Sequence, residues 1–346
     1  MSGVLAALWL LGLFVAAPAL RAGNQNTFVD RLRDALILGV TIPFVLGLVH
    51  ALYPAACWAA LALCVAVALA RHVAGTRNRQ PASPTPYVLV AALAAVTWPQ
   101  LMRPLLDGDS LSYHLPNAAA WAHTHSLWTT GTRYWWYPPA SELFASAVYS
   151  VSGPFALPWT GVGALALLGF RIAGWARDSF AAPPLLADAL AAATVTAYPI
   201  AIQGATLQND VWLAAFWLES LWTIRNAPLA ASRTIAITAL IKPQGWLLAA
   251  VALTAGKAPA RLWLAAGGTL ALWALHDALL WRGASIAPAS TMYGSVAGST
   301  ILAHGAPAIA LLGRVAVGAS PFALFALCAS FLGPAIAVRD RRLGWA

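Results

Sequence analysis

Between residues 107 and 116 the chain reads Asp-Gly-Asp-Ser-Leu-Ser-Tyr-His-Leu-Pro. Asp107 and Asp109 are two of only 11 acidic residues in a chain of 346. At this spacing the two carboxylates can face a divalent cation, Mg2+ or Mn2+. One of them can instead serve as a general base. The pair also fits a solvated loop cap, so the spacing alone leaves these readings open. Tyr113 and His114 belong to the same stretch, and His123 and His125 follow in Asn117–Trp128, which reads as a short helix at a membrane surface. Three histidines beside two aspartates suggest zinc, but no tight ligand pattern such as His-Glu-x-x-His is present. Polar contacts to an anionic group, or plain interfacial residues, account for them better.

Three more polar positions stand out against apolar surroundings. Glu142 follows Pro138-Pro139, where the fixed proline φ suits a helix start and the helix dipole favours a carboxylate in the first turn. Lys242, in Leu-Ile-Lys-Pro-Gln-Gly, is one of two lysines in a chain with 20 basic residues. Pro243 and Gly245 interrupt a helix there. A lysine at a helix break inside an apolar run is costly unless it meets an anion or water, so a phosphate contact is expected. Asp210 opens the run that contains Glu219, and Arg133 lies in the loop after the surface helix. His276-Asp277 reads as a polar contact or as the interfacial end of a helix.

These residues need a scaffold, and composition sets its class. Hydrophobic residues make up 60% of the chain and charged residues 9%, against about 25% charged in a soluble domain. That excludes a water-soluble enzyme, a secreted scaffold and a disordered tail, and predicts an all-α polytopic membrane protein. Apolar runs lie near 3–20, 36–52, 55–70, 86–102, 155–170, 184–202, 210–224, 234–256, 262–280 and 317–337, with shorter ones near 138–150 and 300–313. They predict about 10–12 crossings at roughly 20 residues each. The first run lacks a basic flank and reads as a retained span rather than a signal peptide.

Clusters at Arg21/Arg31/Arg33, Arg71/Arg77/Arg79 and Arg339/Arg341/Arg342 would be cytoplasmic by the positive-inside rule. The 103–137 connection then falls on the extracytoplasmic side, and the 138–150 run is not a full span. On that assignment Arg133, Lys257 and Arg261 lie on the unexpected side. The net charge of +9 reads as topology signals, with no nucleic-acid partner. Most of the 17 tryptophans are expected to anchor helices at interfaces. Cys57, Cys64 and Cys328 read as small hydrophobes. The 71–86 linker suggests leader helices with a basic linker over 1–80 and a main body over 81–346.

Taken in order, D-G-D-S-L-S-Y-H-L-P (107–116), Y-P-P-A-S-E-L (137–143), Q-N-D (208–210) and L-I-K-P-Q-G (240–245) resemble polyprenyl-phosphate-sugar-dependent membrane glycosyltransferases of the GT-C fold. The likeness is to the bacterial mannosyltransferase and aminoarabinose-transferase-like group. It covers roughly the middle half of the chain. Four apolar runs precede the acidic loop here, three more than the one such proteins commonly have. The resemblance implies a GT-C-like bundle in a bacterial inner membrane, whose first large extracytoplasmic loop carries a surface helix. It implies inverting transfer from a lipid-linked donor to an envelope glycan, lipid or protein acceptor.

Asp109 matches the catalytic acidic position, with Asp107 the competing choice, and Glu142 is the acidic residue after the proline pair. Lys242 matches the lysine before a broken helix. Tyr113, His114, His123, Arg133, Lys242 and Asp210 are the candidate substrate contacts. A divalent cation, Mg2+ or Mn2+, held by Asp107 and Asp109 stays open, and no other cofactor is implied. A transporter, a lipid flippase or a non-catalytic homologue in envelope assembly are the rival expectations.

Overall fold

The computed structural model describes residues 2–20, 27–74, 87–101, 105, 107–130, 132 and 134–281. Arg133, Cys328, the apolar runs at 300–313 and 317–337 and the C-terminal arginines lie outside the described residues. Within them there are helices and no strand. The helices are α1 Ser2–Ala16, α2 Phe28–Leu48, α3 Pro54–Ala74, α4 Tyr87–Leu101, α5 Leu115–Thr124, α6 Ala140–Ser152, α7 Thr160–Phe180, α8 Pro184–Thr196, α9 Tyr198–Ala201, α10 Asp210–Asn226, α11 Pro228–Ile241, α12 Pro243–Ala255 and α13 Ala260–Trp281.

Local sequence sets these boundaries. Proline occupies the first position of α3, α8, α11 and α12, where its missing N–H has no intrahelical partner to lose. α2 starts with a capping box: Thr27 Oγ1 accepts from the Asp30 N–H at 3.1 Å, and Asp30 Oδ2 accepts from the Thr27 N–H at 3.3 Å.

Four helical segments are long and apolar enough to cross a membrane: Ser2–Leu20, Pro54–Arg71, Pro154–Phe180 and Ala260–Leu280. A fifth forms if Pro184–Thr196 and Tyr198–Ala205, bent by 70°, count as one. The described residues therefore hold fewer candidate spans than the ten to twelve read from the apolar runs. Part of the reason is charge, since α2 carries Asp30, Arg31, Arg33 and Asp34 near its start. Part is length, because α4, α11 and α12 are short apolar helices. α6, at 13 residues, rises about 20 Å and is short for a core of about 30 Å. It packs along α5, where His123 Nε2 lies 3.1 Å from the Tyr149 hydroxyl, so the 138–150 run does not form a full span.

The outer surface is apolar. Leu8, Leu11, Leu63, Leu185, Leu247 and Leu264 are all more than half exposed. In water such a surface would associate; against lipid tails it is ordinary. The chain is an all-α bundle of the polytopic membrane type. Its larger apolar core includes Trp9 and Leu13 of α1, Leu36 of α2, Phe144 of α6, Leu165 of α7 and Trp212 of α10. The first three helices share this core with α6, α7 and α10. The expectation for tryptophan is only partly met. Trp9, Trp121, Trp212 and Trp273 are wholly enclosed, because an indole fills the gaps left by so many alanines and glycines.

The apolar run at 234–256 is not one helix. It breaks at Lys242, where φ −167° and ψ 169° are extended. Ala231, Ile235 and Ala239 of α11 join Ala249, Ala252 and Leu253 of α12 in one apolar cluster, so the chain folds back as a helical hairpin with Lys242 at its tip. The far end of α12 rests on α10, since a Cβ on Gly256 would lie 2.5 Å from Ile224. Lys257 and Arg261 thereby return to the end of the bundle that carries Arg225, which removes their conflict with the basic-residue pattern.

Three of the charges at the start of α2, Asp30, Arg33 and Asp34, are buried rather than solvated. Glu219 of α10 is 0% exposed. It accepts from Arg171 of α7 through both oxygens, one contact at 3.0 Å, and from Arg33 Nη1 at 3.4 Å. Arg33 also donates to Asp30 at 3.0 Å and to Asp34 at 2.8 Å. The Arg171 guanidinium lies 3.7 Å from the centroid of the Trp222 ring, a cation–π contact.

Glu219→Ala should strip the enclosed Arg171 of its close carboxylate, leaving only Asp30 at 3.8 Å, and destabilise the fold by about 3–5 kcal/mol, read as a lowered unfolding midpoint in detergent. Single cysteines at 226 and 257 should be labelled by an impermeant maleimide from one side of sealed vesicles, and a cysteine at 208 from the other. Labelling of 226 and 257 from opposite sides would contradict the hairpin.

Candidate functional site

The acidic motif, the start of α6 and the hairpin tip come together at the end of the bundle opposite Lys257. Asp107 is a structural cap. Its Oδ1 accepts from the Ser110 N–H at 2.7 Å and from Gln208 Nε2 at 3.4 Å. The Ser110 hydroxyl accepts from the Leu207 N–H at 2.9 Å, which ties the motif to the approach to α10. Residues 110–114 form one π-type turn, closed by the Leu115 N–H on Ser110 O. Such turns recur at functional sites because they re-aim side chains within a helix. Asp109 is exposed and its carboxylate has no hydrogen-bond partner among the described residues.

His114 is 1% exposed and Glu142 3%. His114 Nδ1 lies 2.5 Å from Glu142 Oε1, and the Ser141 hydroxyl donates to Glu142 Oε2 at 2.8 Å. Tyr113 lies over the imidazole with ring centroids 3.9 Å apart. Burial raises the Tyr113 phenol above its ordinary range, and the carboxylates of Glu142 and Asp109 add to the effect, so it stays neutral and keeps its O–H.

The aromatic run 134–137 turns partly into the protein. Tyr134 and Trp135 are buried, and Tyr134 meets Tyr113 edge-on at 5.1 Å. Tyr134 holds φ +58°, an uncommon conformation for a bulky residue. The turn is fastened by Trp273 Nε1 of α13, which donates to Trp136 O at 3.2 Å. His276 beside it contacts both Asp277 Oδ1 at 3.2 Å and Leu127 O at 3.1 Å, so this pair fastens α13 to the same loop.

Lys242 forms an ion pair with Asp210. Asn209 Nδ2 donates to Ile241 O at 3.3 Å, holding the tip of the hairpin against the start of α10. Burial lowers the proton affinity of the Lys242 ammonium, while the Glu142 and Asp109 carboxylates act in the opposite direction. Those two carboxylates influence Lys242 and Tyr113 alike, so Asp109, Tyr113, Glu142 and Lys242 share one electrostatic neighbourhood. Space at the tip is tight. A Cβ on Gly245 would lie 2.1 Å from Thr238 O.

One expected site residue stands elsewhere: His123 pairs with Tyr149. Arg133 is outside the described residues. His125, with φ +58°, stacks on Tyr53 and lies 3.3 Å from Leu52 O, so it fixes a loop. Among the described residues no group of three or more His, Cys, Asp or Glu is arranged to hold a metal ion. Asp107 Oδ1 is occupied as a cap, and among the described residues no third carboxylate, histidine or cysteine joins Asp107 and Asp109. Sequence reasoning missed Ser141 and Gln208, whose types carry no signal of their own, and Asn117, which is buried with Oδ1 unpartnered.

Comparison with protein-family models, curated proteins and solved structures finds no match to this chain. The class of the protein therefore rests on the bundle itself.

Replacing Gly245 with alanine should force the hairpin open at its tip and displace Lys242. Backbone, rather than a flexible side chain, occupies the space, so the expected result is a loss of at least about 1–3 kcal/mol of stability. An unchanged unfolding midpoint would show that the tip is looser than drawn.

Proposed function

We propose that the protein is an inverting glycosyltransferase of GT-C type in a bacterial inner membrane, moving a sugar from a polyprenyl-phosphate donor to an acceptor hydroxyl. The observation that carries this reading is the meeting of the acidic motif, the start of α6 and the hairpin tip at one end of the bundle, where Ser110 holds Leu207, His114 holds Glu142, and Asn209 and Asp210 hold Ile241 and Lys242, in a chain with 9% charged residues. A basic group beside an unengaged carboxylate suits a reaction that expels a phosphate while a hydroxyl loses its proton.

The roles follow from what each group has free. Asp109 is exposed and its carboxylate is unbonded, so it can take the acceptor proton. Glu142 has both oxygens engaged and Asp107 Oδ1 is a cap, which makes them poorer bases. The acceptor oxygen attacks the anomeric carbon as the bond from that carbon to the phosphate oxygen breaks. The electron pair leaves with the lipid phosphate, and the configuration inverts. Lys242, held by Asp210 in the free protein, exchanges that partner for the phosphate and stabilises its charge. The apolar outer surface lets a lipid-linked donor approach from the bilayer, and the basic-residue pattern puts this end on the extracytoplasmic side.

With purified protein in vesicles and a panel of polyprenyl-phosphate sugars, the wild type should release polyprenyl phosphate. Asp109→Asn should reduce turnover about 10²–10⁴-fold with donor binding retained. Full turnover by a folded Asp109→Asn protein would remove the assignment. Lys242→Met should weaken donor binding. Because burial depresses the Lys242 ammonium, wild-type donor affinity should fall as pH rises, starting below the range of an ordinary lysine near about 10.4. Transport of solute without group transfer would point instead to a carrier.

A further inference from the structure

Three polar atoms on the 107–117 segment share one deficiency. Asn117 is 2% exposed and its Oδ1 has no hydrogen-bond partner; Asp107 Oδ2 is likewise enclosed and unpartnered. His114 spends Nδ1 on Glu142, and its Nε2 has no partner among the described residues. His114 continues into α5 with helical backbone angles, φ −64° and ψ −51°. Asn117 therefore follows three residues later on the same face.

Asn117 Oδ1 and Asp107 Oδ2 call for a donor. Glu142 accepts at both oxygens, from Ser141 and from the imidazole, which puts a proton on Nδ1 and leaves Nε2 free to exchange a hydrogen bond with a hydroxyl or amino group. Nothing lets the ring turn away. Glu142 holds its rotation and Tyr113 covers its face at 3.9 Å. Asn117 Oδ1 and Asp107 Oδ2, unpaired acceptors out of water, are destabilising, and a ligand that brings donors relieves that cost. Among the described residues no group of three or more His, Cys, Asp or Glu is arranged to hold a metal ion. Water supplies such donors in a resting site, and the hydroxyl or amino groups of a ligand supply them when it binds.

We infer that His114 Nε2 and Asn117 Oδ1 recognise hydroxyl or amino groups of the transferred sugar, and that Glu142 is the positioning residue that aims His114. This rests on the glycosyl-transfer reading and adds the substrate class to it: a sugar with free donor groups on the face it turns towards α5. Deoxy sugars are selected against, because each missing hydroxyl leaves an enclosed acceptor bare. Sites built to bond a hydroxyl reject its analogue far more strongly than apolar pockets reject a missing methylene.

The test uses the full chain in lipid nanodiscs and measures equilibrium binding of bare polyprenyl phosphate, a polyprenyl-phosphate hexose and the monodeoxy analogues of that hexose. The wild type should bind at least one monodeoxy analogue about 100-fold or more weakly than the parent hexose. In His114→Phe and Asn117→Leu the ratio of parent to analogue affinity should collapse towards one. Glu142→Gln keeps an acceptor for Nδ1–H and should retain part of the ratio, whereas Glu142→Leu should lose it. The unfolding midpoint of each variant identifies any that fail to fold; Asn117→Ser then replaces a misfolded Asn117→Leu, and His114→Gln a misfolded His114→Phe.

Equal binding of all sugars by a wild type that binds bare polyprenyl phosphate would overturn the sugar-reading role alone. So would an unchanged ratio in folded His114 and Asn117 variants. Failure of the wild type to bind bare polyprenyl phosphate would overturn the underlying lipid-phosphate reading and this inference with it. Binding of Mg2+ or Mn2+ that disappears in Asn117→Leu would assign the acceptors to a metal and overturn the inference as well.

Discussion

Glu219 sets the terms for the rest of the bundle. A carboxylate with no exposure in a membrane-embedded core is tolerable only if cations come to it, and here they come from two other helices. Arg171 brings α7, and Arg33 brings α2 together with Asp30 and Asp34. Apolar packing between lipid-exposed helices has little directional preference, since lipid tails are as apolar as leucine. The ion cluster supplies the preference: α2, α7 and α10 can exchange neither register nor neighbour without stranding a charge. Hydrogen bonds between Ser220 and Thr238 and between Thr223 and Thr234, at 2.9 and 2.8 Å, extend the same logic to α11.

Order at that end is what allows disorder of charge at the other. With α10 fixed by Glu219, its first residue, Asp210, is placed to hold Lys242. With α7 and α2 fixed, α6 has a floor on which Phe144 seats against Gly39; a Cβ there would lie 2.2 Å from the Phe144 ring. Glu142, half a turn earlier on α6, is thus delivered to His114 by packing that contains no polar atom. The groups at the site need only short local devices, an Asx-type cap at Asp107 and a π-type turn, to reach their final directions.

Much of this was legible in the sequence, for identifiable reasons. Apolar run length and sparse charge gave the all-α membrane class. Scarcity drew attention to Asp109, Glu142 and Lys242, and their order suggested a common site. What stayed hidden depended on partners far away in the chain. Asp30, Arg33 and Asp34 look like a solvated cytoplasmic flank until Glu219 and Arg171 are beside them. The run at 234–256 is uniformly apolar on both sides of Lys242, so hydropathy cannot distinguish a kinked helix from a hairpin; the close approach of Gly245 to Thr238 does. Tyr134 to Tyr137 have the composition of an interfacial belt, and only the ring contacts to Tyr113 show that the run turns partly inward. Between Asp107 and Asp109, spacing was silent, and the bond from Ser110 to Asp107 separates their roles.

The hairpin of α11 and α12 also acts as a ruler. Its legs have 14 and 13 residues, each rising about 1.5 Å per residue, so the tip stands roughly 20 Å above the end that carries Lys257. The height of the Lys242 ammonium is therefore written in helix length rather than in a loop conformation. Adding or removing one residue in either leg would shift that height by about 1.5 Å and swing the opposite face by about 100°. Residue count between Pro228 and Ala255 is thus as much a part of the site as the lysine itself, although no residue in the legs has a chemical role.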